Sequence, residues 1–335
     1  MICQKEICGV LLGKKMKHFL FSGFVLLAGF CSVAQVQAVV RLSDSARLFG
    51  RDVISTGDFE FNASFTPDGN TMYFSRATIN FGYIAIFYST YNGRNWSTPE
   101  TVPFTGVYRD TDPFVSADGM RLYFDSDRPI KGMPYKDYDY HYYYVNLDGN
   151  RVISDPEPFT LPLPVGMKPS YLSFTDAGDA YFFSVDSSNN ADIYCCEKKG
   201  DSYGPPILLS FNSKKYFDFD PVIAHDGSFI VFCSNNRPGY GSGDIWVSFR
   251  SGQAWTEPAN MGPKVNTKGN DGAPGLSRDN QTLYFTSFRE TNMRPSYSKN
   301  KATTAAIEAL LHSVADGIRH IYVISIADIN ARSLE

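Results

Sequence analysis

Acidic and amide side chains recur at the start of several similar segments of the sequence, and they are the first candidates for chemistry. These candidates are Glu60 and Asn62, Asp110 and Asp112, Asp218 and Asp220, and Asp271. If the segments are β-strands, residues two apart point to the same side, so each pair is expected to share one face. Two carboxylates at a defined separation can cleave a glycosidic bond, and hard oxygen ligands also suit calcium. The pattern predicts a carboxylate-rimmed pocket for a sugar, a peptide terminus or a divalent cation.

Arginines end the segments that follow, and they offer partners for these acids. They are Arg76, Arg128, Arg237 and Arg289. A planar guanidinium matches a carboxylate through two hydrogen bonds, so the two sets are expected to meet around one mouth and to lock adjacent strands. Because the pattern repeats, this structural role is favoured over a ligand site. A binding site should break the repeat, and the irregular insertions supply four candidates for a loop face: Tyr135, Tyr138, Arg294 and Tyr297.

A repeated hairpin is expected to position these side chains. Residues 61–74 read FNASFTPDGNTMYF, an apolar strand, a Pro-Asp-Gly turn and a second strand. Proline presets φ at the first turn position, aspartate bonds back to its own backbone, and glycine tolerates the left-handed conformation. Four more copies follow about every 50 residues, and such a period is typical of propellers and solenoids. Their turns are centred on Gly119, Gly178, Gly227 and Asn280.

A third strand follows each hairpin and an outer strand follows the first four, and two copies mark the outer strand with Trp-x-x-Pro at Trp96 and Trp255. Five units of four strands predict an all-β fold, a five-bladed β-propeller. The blades are expected near 56–104, 107–160, 166–210, 215–262 and 266–330. The last unit has little chain left for a fourth strand, so residues 46–55 are expected to complete it and close the ring, which removes exposed sheet edges. An unrelated β-sandwich of hairpins is the alternative, but it does not explain the fixed order of these features.

Three segments resemble a known group of proteins. They are Ser116-Ala117-Asp118-Gly119 with the following Leu122-Tyr123-Phe124, SNNRPGYGSGDIWVSFR at 234–250, and IYVISIADI at 321–329. The repeats resemble the WD-like units of TolB-like β-propellers, with their Ser-x-Asp-Gly hairpin turns, as found in exported proteins of Bacteroidetes-type bacteria. The resemblance covers roughly residues 47–330 and implies the propeller fold. TolB itself is a periplasmic protein-binding platform, but its separate N-terminal domain has no counterpart here, so its partners do not follow.

Residues 1–38 read as a secretory signal peptide ahead of a single propeller at 39–335. Lys14, Lys15 and Lys17 form a basic start, an apolar run spans 19–30, and Val36-Gln37-Ala38 suits cleavage. The apolar run is short for a membrane span. The alternative is a lipoprotein signal acylated at Cys31. It is disfavoured because such signals have a small residue before the cysteine, and here that residue is Phe30. A periplasmic or secreted location is therefore expected.

The charge of residues 39–335 excludes some classes of partner. This part carries 27 basic and 34 acidic side chains, a net charge of −7, which argues against nucleic acid and anionic membrane surfaces as partners.

The cysteines of residues 39–335 are Cys195, Cys196 and Cys233, and an odd number is not a disulfide framework. All three fall in predicted strands, so buried free thiols are expected. A bridge from Cys233 to a cysteine of the neighbouring blade remains open, subject to geometry.

One helical pattern interrupts the strands at 303–317, where apolar residues recur at helical spacing. No His pair has metal-ligand spacing such as H-E-x-x-H, and no nucleophile motif is complete. We therefore predict a non-enzymatic binding or scaffold propeller of the bacterial cell envelope, without a cofactor, that recognises an envelope protein or a glycan on its loop face. The alternative is a glycan-active hydrolase or lyase using acids of the central pocket. A third hypothesis is a calcium-dependent structural module.

Overall fold

The computed structural model describes residues 36–132, 134–289, Thr303 and 319–333, and its regular elements within these ranges are β-strands. The first strand, β1 (Val36–Val39), pairs antiparallel with the last, β26 (Asn330–Ser333). Three residues of β1 had been assigned to the end of the signal peptide. The rest of that segment with Cys31, the predicted helix beyond Thr303, and the candidates Arg294 and Tyr297 lie outside the described residues. Within those residues, no helix is long and apolar enough to cross a bilayer.

Five antiparallel sheets follow, and in the first four the strands lie in chain order from the innermost strand outward, whereas the outermost strand of the fifth comes from the N-terminal part of the chain. Blade 1 contains β3 (Phe59–Phe65), β4 (Thr71–Ala77), β5 (Ile84–Thr90) and β6 (Glu100–Thr101). Blade 2 contains β7 (Asp110–Val115), β8 (Arg121–Ser126) and β9 (His141–Asp148), with β10 (Arg151–Val152) and β11 (Glu157–Pro158) both paired to β9. Blade 3 contains β12 (Pro169–Phe174), β13 (Ala180–Val185), β14 (Ala191–Cys196) and β17 (Ile207–Leu208), and a small hairpin of β15 (Lys198–Lys199) and β16 (Ser202–Tyr203) extends it.

Blades 4 and 5 complete the ring. Blade 4 contains β18 (Phe217–Ile223), β19 (Phe229–Asn235) and β20 (Asp244–Ser251), with β21 (Ala254–Trp255) and β22 (Ala259–Asn260) on its outer side. Blade 5 contains β23 (Asp271–Leu276), β24 (Thr282–Ser287) and β25 (His320–Ser325), and its outer strand is β2 (Arg47–Leu48). The predicted five-bladed propeller of four-stranded blades is confirmed.

The N-terminal strand closes the ring, as expected, although the paired part is short. Arg47 lies opposite Val323 and Leu48 opposite Tyr322. The chain then leaves the sheet at Gly50, and the amide of Ile54 donates to the Gly50 carbonyl at 2.7 Å. This turn buries Ile54 completely, in a cluster formed by residues of blades 1 and 5. Closure therefore rests on one short strand and on an apolar side chain packed between the first and last blades.

The hairpin turns have the geometry that their residues predict. Each has a left-handed residue at the position predicted for it, and in blade 5 this residue is Asn280, with φ of 59°. The turn aspartates accept hydrogen bonds from backbone amides two residues on, as Asp68 does from Asn70 at 3.0 Å. Asn280 also accepts a hydrogen bond from the amide of His225 at 3.0 Å, which ties the turn of blade 5 to that of blade 4.

Aromatic and aliphatic side chains fill the wedges between neighbouring blades. Tyr73 and Ile86 of blade 1, for example, are buried with Leu122 and Phe124 of blade 2. Burying a large apolar side chain in this way stabilises the fold by about 1.5–3 kcal/mol. The three cysteines of the described residues are free and buried, as expected from their strand positions.

Candidate functional site

Each innermost strand is interrupted by a bulge at the same place. The pairing register shifts after Phe61, Thr111, Ser170, Phe219 and Gly272. The next residue in each blade has positive φ, between 46° and 58°, although none is glycine: Asn62, Asp112, Tyr171, Asp220 and Ala273. A non-glycine residue in this region costs about 1–3 kcal/mol, and such residues concentrate at functional sites. We call these five the bulge residues.

The bulge separates the two acids of each pair. The side chain of Asp110 is fully buried beside Arg128, whereas Asp112 lines a central cavity. Asp218 and Asp220 divide in the same way, with Asp218 beside Arg237 and Asp220 on the cavity. The expectation that such pairs share one side of the strand was wrong, because a bulge resets the alternation of side chains.

The first acids of the innermost strands pair with arginines of the second strands. Arg237 contacts Asp218 through two nitrogens, at 2.7 and 3.0 Å, in the bidentate geometry. Nη2 of Arg128 lies 2.7 Å from Asp110, and Nη2 of Arg76 lies 3.5 Å from Glu60. Glu60 also lies 3.1 Å from Nδ1 of His320, so the acid of blade 1 reaches the third strand of blade 5.

Blades 5 and 3 depart from this pairing. The Asp271 carboxylate accepts hydrogen bonds from Ser287 and from Thr267 rather than from Arg289. Arg289 donates instead to the carbonyl of Val265. In blade 3 the residue that corresponds to the first acid is Pro169, so this blade has no carboxylate at that position.

The arginines share a further contact that explains their repetition. Each donates to a backbone carbonyl of the segment that precedes its own blade, and the acceptors are Ile54, Phe104, Phe211 and Val265. Each guanidinium thereby links its own blade to the segment of chain that enters that blade. The repeated arginines and first acids are placed for a structural role, as the symmetry of the pattern favoured.

The cavity on the axis has a volume of about 260 Å³. Aromatic side chains form much of its wall: Phe61, Phe81, Tyr140, Tyr171 and Phe183. The polar groups on the wall include Thr111, Asp112, Ser170, Asp220 and Arg319. Aromatic walls with a few placed polar groups are typical of small-molecule sites.

Asp112 is the carboxylate best placed to meet a ligand. Its Oδ1 accepts hydrogen bonds from Asn62 at 3.1 Å and from Thr111 at 3.2 Å. Burial raises the pKa of Asp112 to about 6, and these two hydrogen bonds oppose the rise. Burial, reinforced by the charge of Asp112, raises the pKa of Asp220 well above its usual range. Asp112 is therefore mostly ionised at pH 7, and Asp220 holds its proton more tightly than an ordinary aspartate.

A third buried acid, Asp125 of β8, interacts with Asp112 and Asp220, and the sequence analysis did not identify it. Its Oδ2 accepts hydrogen bonds from Ser170 at 2.6 Å and from the amide of Tyr171 at 3.0 Å. Burial and the charge of Asp112 raise the pKa of Asp125 well above its usual range. Since its hydrogen bonds hold the bulge of blade 3, Asp125 positions Tyr171 within the cavity wall.

Tyr171 lies between two cavities at the centre of the propeller. Its hydroxyl donates to the carbonyl of Pro274 at 2.7 Å, and its side chain is buried. The residue lines both the central cavity and a smaller void of about 30 Å³ that also borders His225 and Arg278 near the hairpin turns. The tyrosine thus forms the floor of the central cavity.

The two loop-face tyrosines that the structure describes converge on Arg109, another residue that the sequence reasoning missed. The guanidinium lies 4.0 Å from the ring centre of Tyr138, and Tyr135 donates to Asp127 at 3.1 Å. Arg109 itself lies 2.6 Å from Asp127 and 2.5 Å from Asp137. Both tyrosines are about half exposed, so they form a surface around a neutralised arginine. The sequence offered one indication of its importance, since Arg109 directly precedes the candidate Asp110.

The raised pKa of Asp112 has a consequence for stability. A carboxyl whose pKa is higher in the folded state loses its stabilising contribution as pH rises from about 4 through 6. Asp112→Asn, which stays neutral, is therefore expected to exceed the wild type in stability by about 1–3 kcal/mol at pH 7.5, and to match it near pH 4. Urea denaturation at both pH values measures this, with exposed Asp201→Asn as the control. A difference that does not change with pH would contradict the assignment.

Comparison with known proteins gives structural likeness only. No protein-family model and no curated protein sequence matches this chain. TolB from Acinetobacter baumannii is similar at 15% identity with a TM-score of 0.45, over 82% of this chain and 56% of that one. A putative TolB from Agrobacterium tumefaciens matches at 14% identity and TM-score 0.48, over 83% and 81%. An α-L-arabinofuranosidase from Lactobacillus brevis matches at 13% identity and TM-score 0.47, over 82% and 92%. These likenesses concern the fold alone.

Among the residues that the structure describes, no group of three or more His, Cys, Asp or Glu is arranged to hold a metal ion.

Proposed function

We propose that this protein is an exported propeller of the bacterial envelope that binds the end of a glycan chain in its central cavity. The observation that carries the proposal is the break in symmetry at the bulge residues. Asn62, Asp112 and Asp220 are polar there, and Asp112 and Asp220 line an aromatic-walled cavity without an arginine within ion-pair distance among the described residues. A sugar offers hydroxyls to such oxygens and an apolar C–H face to such rings.

The size of the cavity favours a sugar over a protein segment. At about 260 Å³ it lies just below the range of about 300–1,000 Å³ that holds drug-sized ligands. One terminal sugar ring suits that volume, and the rest of a chain would leave through the mouth on the loop face. The outer surface around Tyr135 and Tyr138 is then available for further sugars or for an envelope protein.

Titration calorimetry on hits from a glycan array tests the proposal. A hydrogen bond to a charged group contributes about 1.5–3 kcal/mol, so Asp112→Asn is expected to weaken binding roughly 10- to 100-fold. Asp201→Asn makes the same chemical change at an exposed turn and should leave affinity unchanged. The absence of any glycan ligand, or equal affinities of the two variants, would refute binding at this site.

Hydrolysis of the bound glycan is the second candidate, and one observation favours it. Burial raises the pKa of Asp112 to about 6 and that of Asp220 well above its usual range, and both carboxyls face one cavity. Cleavage of a glycosidic bond requires two carboxyl groups, one of which holds a proton that it can donate. Chromatography of each glycan hit after long incubation separates the candidates. Release of shorter products that Asp220→Asn abolishes would establish the enzyme, and an unchanged glycan supports binding alone.

A calcium-dependent module remains a third hypothesis. Asp110 and Asp218, where calcium was expected, have arginine partners at 2.7 Å, with which the ion would compete. Melting temperatures with calcium and with a chelator test it, and an equal value in both is expected.

A further inference from the structure

Arg319 is the cation of the central cavity, and its surroundings hold it in place. It lines the cavity immediately before β25. The guanidinium lies 5.0 Å from the ring centre of Phe59 and 4.5 Å from that of Phe288. Its backbone carbonyl accepts a hydrogen bond from the amide of Glu60 at 3.1 Å. Because the two rings restrain the side chain, less of its entropy remains to be lost when it meets a ligand.

No carboxylate forms an ion pair with this arginine within the described part of the chain. Arg76, Arg128 and Arg237 each have an acid within 4 Å, whereas Arg319 has none there. The one side-chain hydrogen bond of Arg319 to a described residue runs from Nη2 to the neutral amide oxygen of Asn270 at 3.3 Å. The buried Nε has no acceptor among the same residues.

An unpaired cation in a partly buried site is costly, and an anionic ligand would relieve that cost. Burial lowers the pKa of Arg319, and Asp220 opposes that change. Asp220 lines the same cavity but forms no ion pair with the guanidinium within 4 Å, and burial raises the pKa of this carboxyl well above its usual range. It therefore balances the guanidinium only in part.

We infer that the glycan end bound in the cavity bears a carboxylate, as uronic acids do, and that Arg319 recognises it. This inference rests on the proposed function. The planar fork of a guanidinium matches a carboxylate in a bidentate manner, which favours a planar anion. A dianionic phosphate fits less well, since Asp112 is mostly ionised on the same cavity and Arg319 is a single cation. The neutral hydroxyls of the same sugar would face Asp112.

Paired sugars provide the test, because a uronic acid differs from its parent at one group. We would titrate the protein with oligomers ending in glucuronate, galacturonate or mannuronate, and with their neutral counterparts ending in glucose, galactose or mannose. At least one uronate is expected to bind 10-fold or more tightly than its neutral partner. Arg319→Met is expected to weaken uronate binding about 10- to 100-fold, and neutral sugar binding less than 3-fold.

Two further variants sharpen the result. Arg319→Lys keeps the charge without the planar fork and should retain only part of the preference, and it gives the same readout if Arg319→Met does not fold. Arg94→Met removes an exposed arginine and should change nothing.

Three outcomes would overturn the inference. If neutral sugars bind as well as uronates and Arg319→Met leaves the ratio unchanged, the assignment fails while glycan binding stands. If sulfated sugars bind more tightly than uronates, the cavity is an anion site of another kind. If no sugar of either class binds, the proposed function fails together with the inference.

Discussion

Arg237→Met is expected to lower the free energy of unfolding by about 3–5 kcal/mol, because it leaves a buried carboxylate without its partner. Asp218 is 1% exposed and Arg237 6% exposed, and two guanidinium nitrogens contact the carboxylate. The arginine also donates to the carbonyl of Phe211, in the connection that precedes blade 4. Removing it breaks one of the repeated ties between a blade and the chain that enters it. Urea denaturation at pH 7 measures the loss.

Arg319→Met supplies the matched control for this prediction. The substitution is identical, but the removed guanidinium has no carboxylate within 4 Å in the described residues, so the loss of unfolding free energy should be clearly smaller than at Arg237. The double variant Arg237→Met with Asp218→Asn should recover part of the loss, since no unpaired charge remains. Equal losses at Arg237 and Arg319 would show that the ion pairs do not account for the arginine pattern.

Tyr171→Ala is expected to cost about 3–5 kcal/mol, because it removes a large buried ring and leaves a void. The ring separates the central cavity from the smaller void near the hairpin turns, so its loss would join the two spaces. A ligand bound in the cavity would also lose its floor. Denaturation gives the energy, and a crystal structure of the variant shows whether the spaces merge.

Tyr171→Phe separates the ring from its hydroxyl. It keeps the floor but leaves the carbonyl of Pro274 without its 2.7 Å hydrogen bond, at an expected cost of about 1–3 kcal/mol. A loss from Tyr171→Ala no greater than that from Tyr171→Phe would mean that the ring is not a packed floor.

Much of the fold follows from local chemistry that the sequence displays. The hairpin turns form because an aspartate bonds to the backbone and a left-handed residue follows, and Asn280 takes the left-handed conformation where glycine is absent. The short last unit required a strand from elsewhere, and β2 supplies it. Repetition also favoured a structural role for the arginines, and their shared contacts with interblade carbonyls give the reason.

The cavity was harder to predict, because a bulge changes which side of a strand a residue faces. Alternation of side chains placed Asp110 with Asp112, yet the register shift after Thr111 separates them. Asp125 could have been found, since it stands in a second strand at the position that is Ser75, Phe183, Cys233 and Thr286 in the other blades. Arg319 follows a long insertion, so only the folded ring shows that it reaches the cavity.

The bulge residues have strained backbone conformations, and burial raises the pKa of Asp112, Asp125 and Asp220, at one place in an otherwise regular ring. Natural proteins retain such local costs where function requires them. We therefore expect Asp112→Asn to gain stability while it loses affinity, which a purely structural residue would not do.

A crystal structure of the protein with its best glycan ligand tests the central claim most directly. The account predicts a terminal sugar ring inside the cavity of about 260 Å³, within hydrogen-bond distance of Asp112 and packed against the aromatic wall. A glycan bound only on the outer surface around Tyr135 and Tyr138, with the cavity free of sugar, would contradict it.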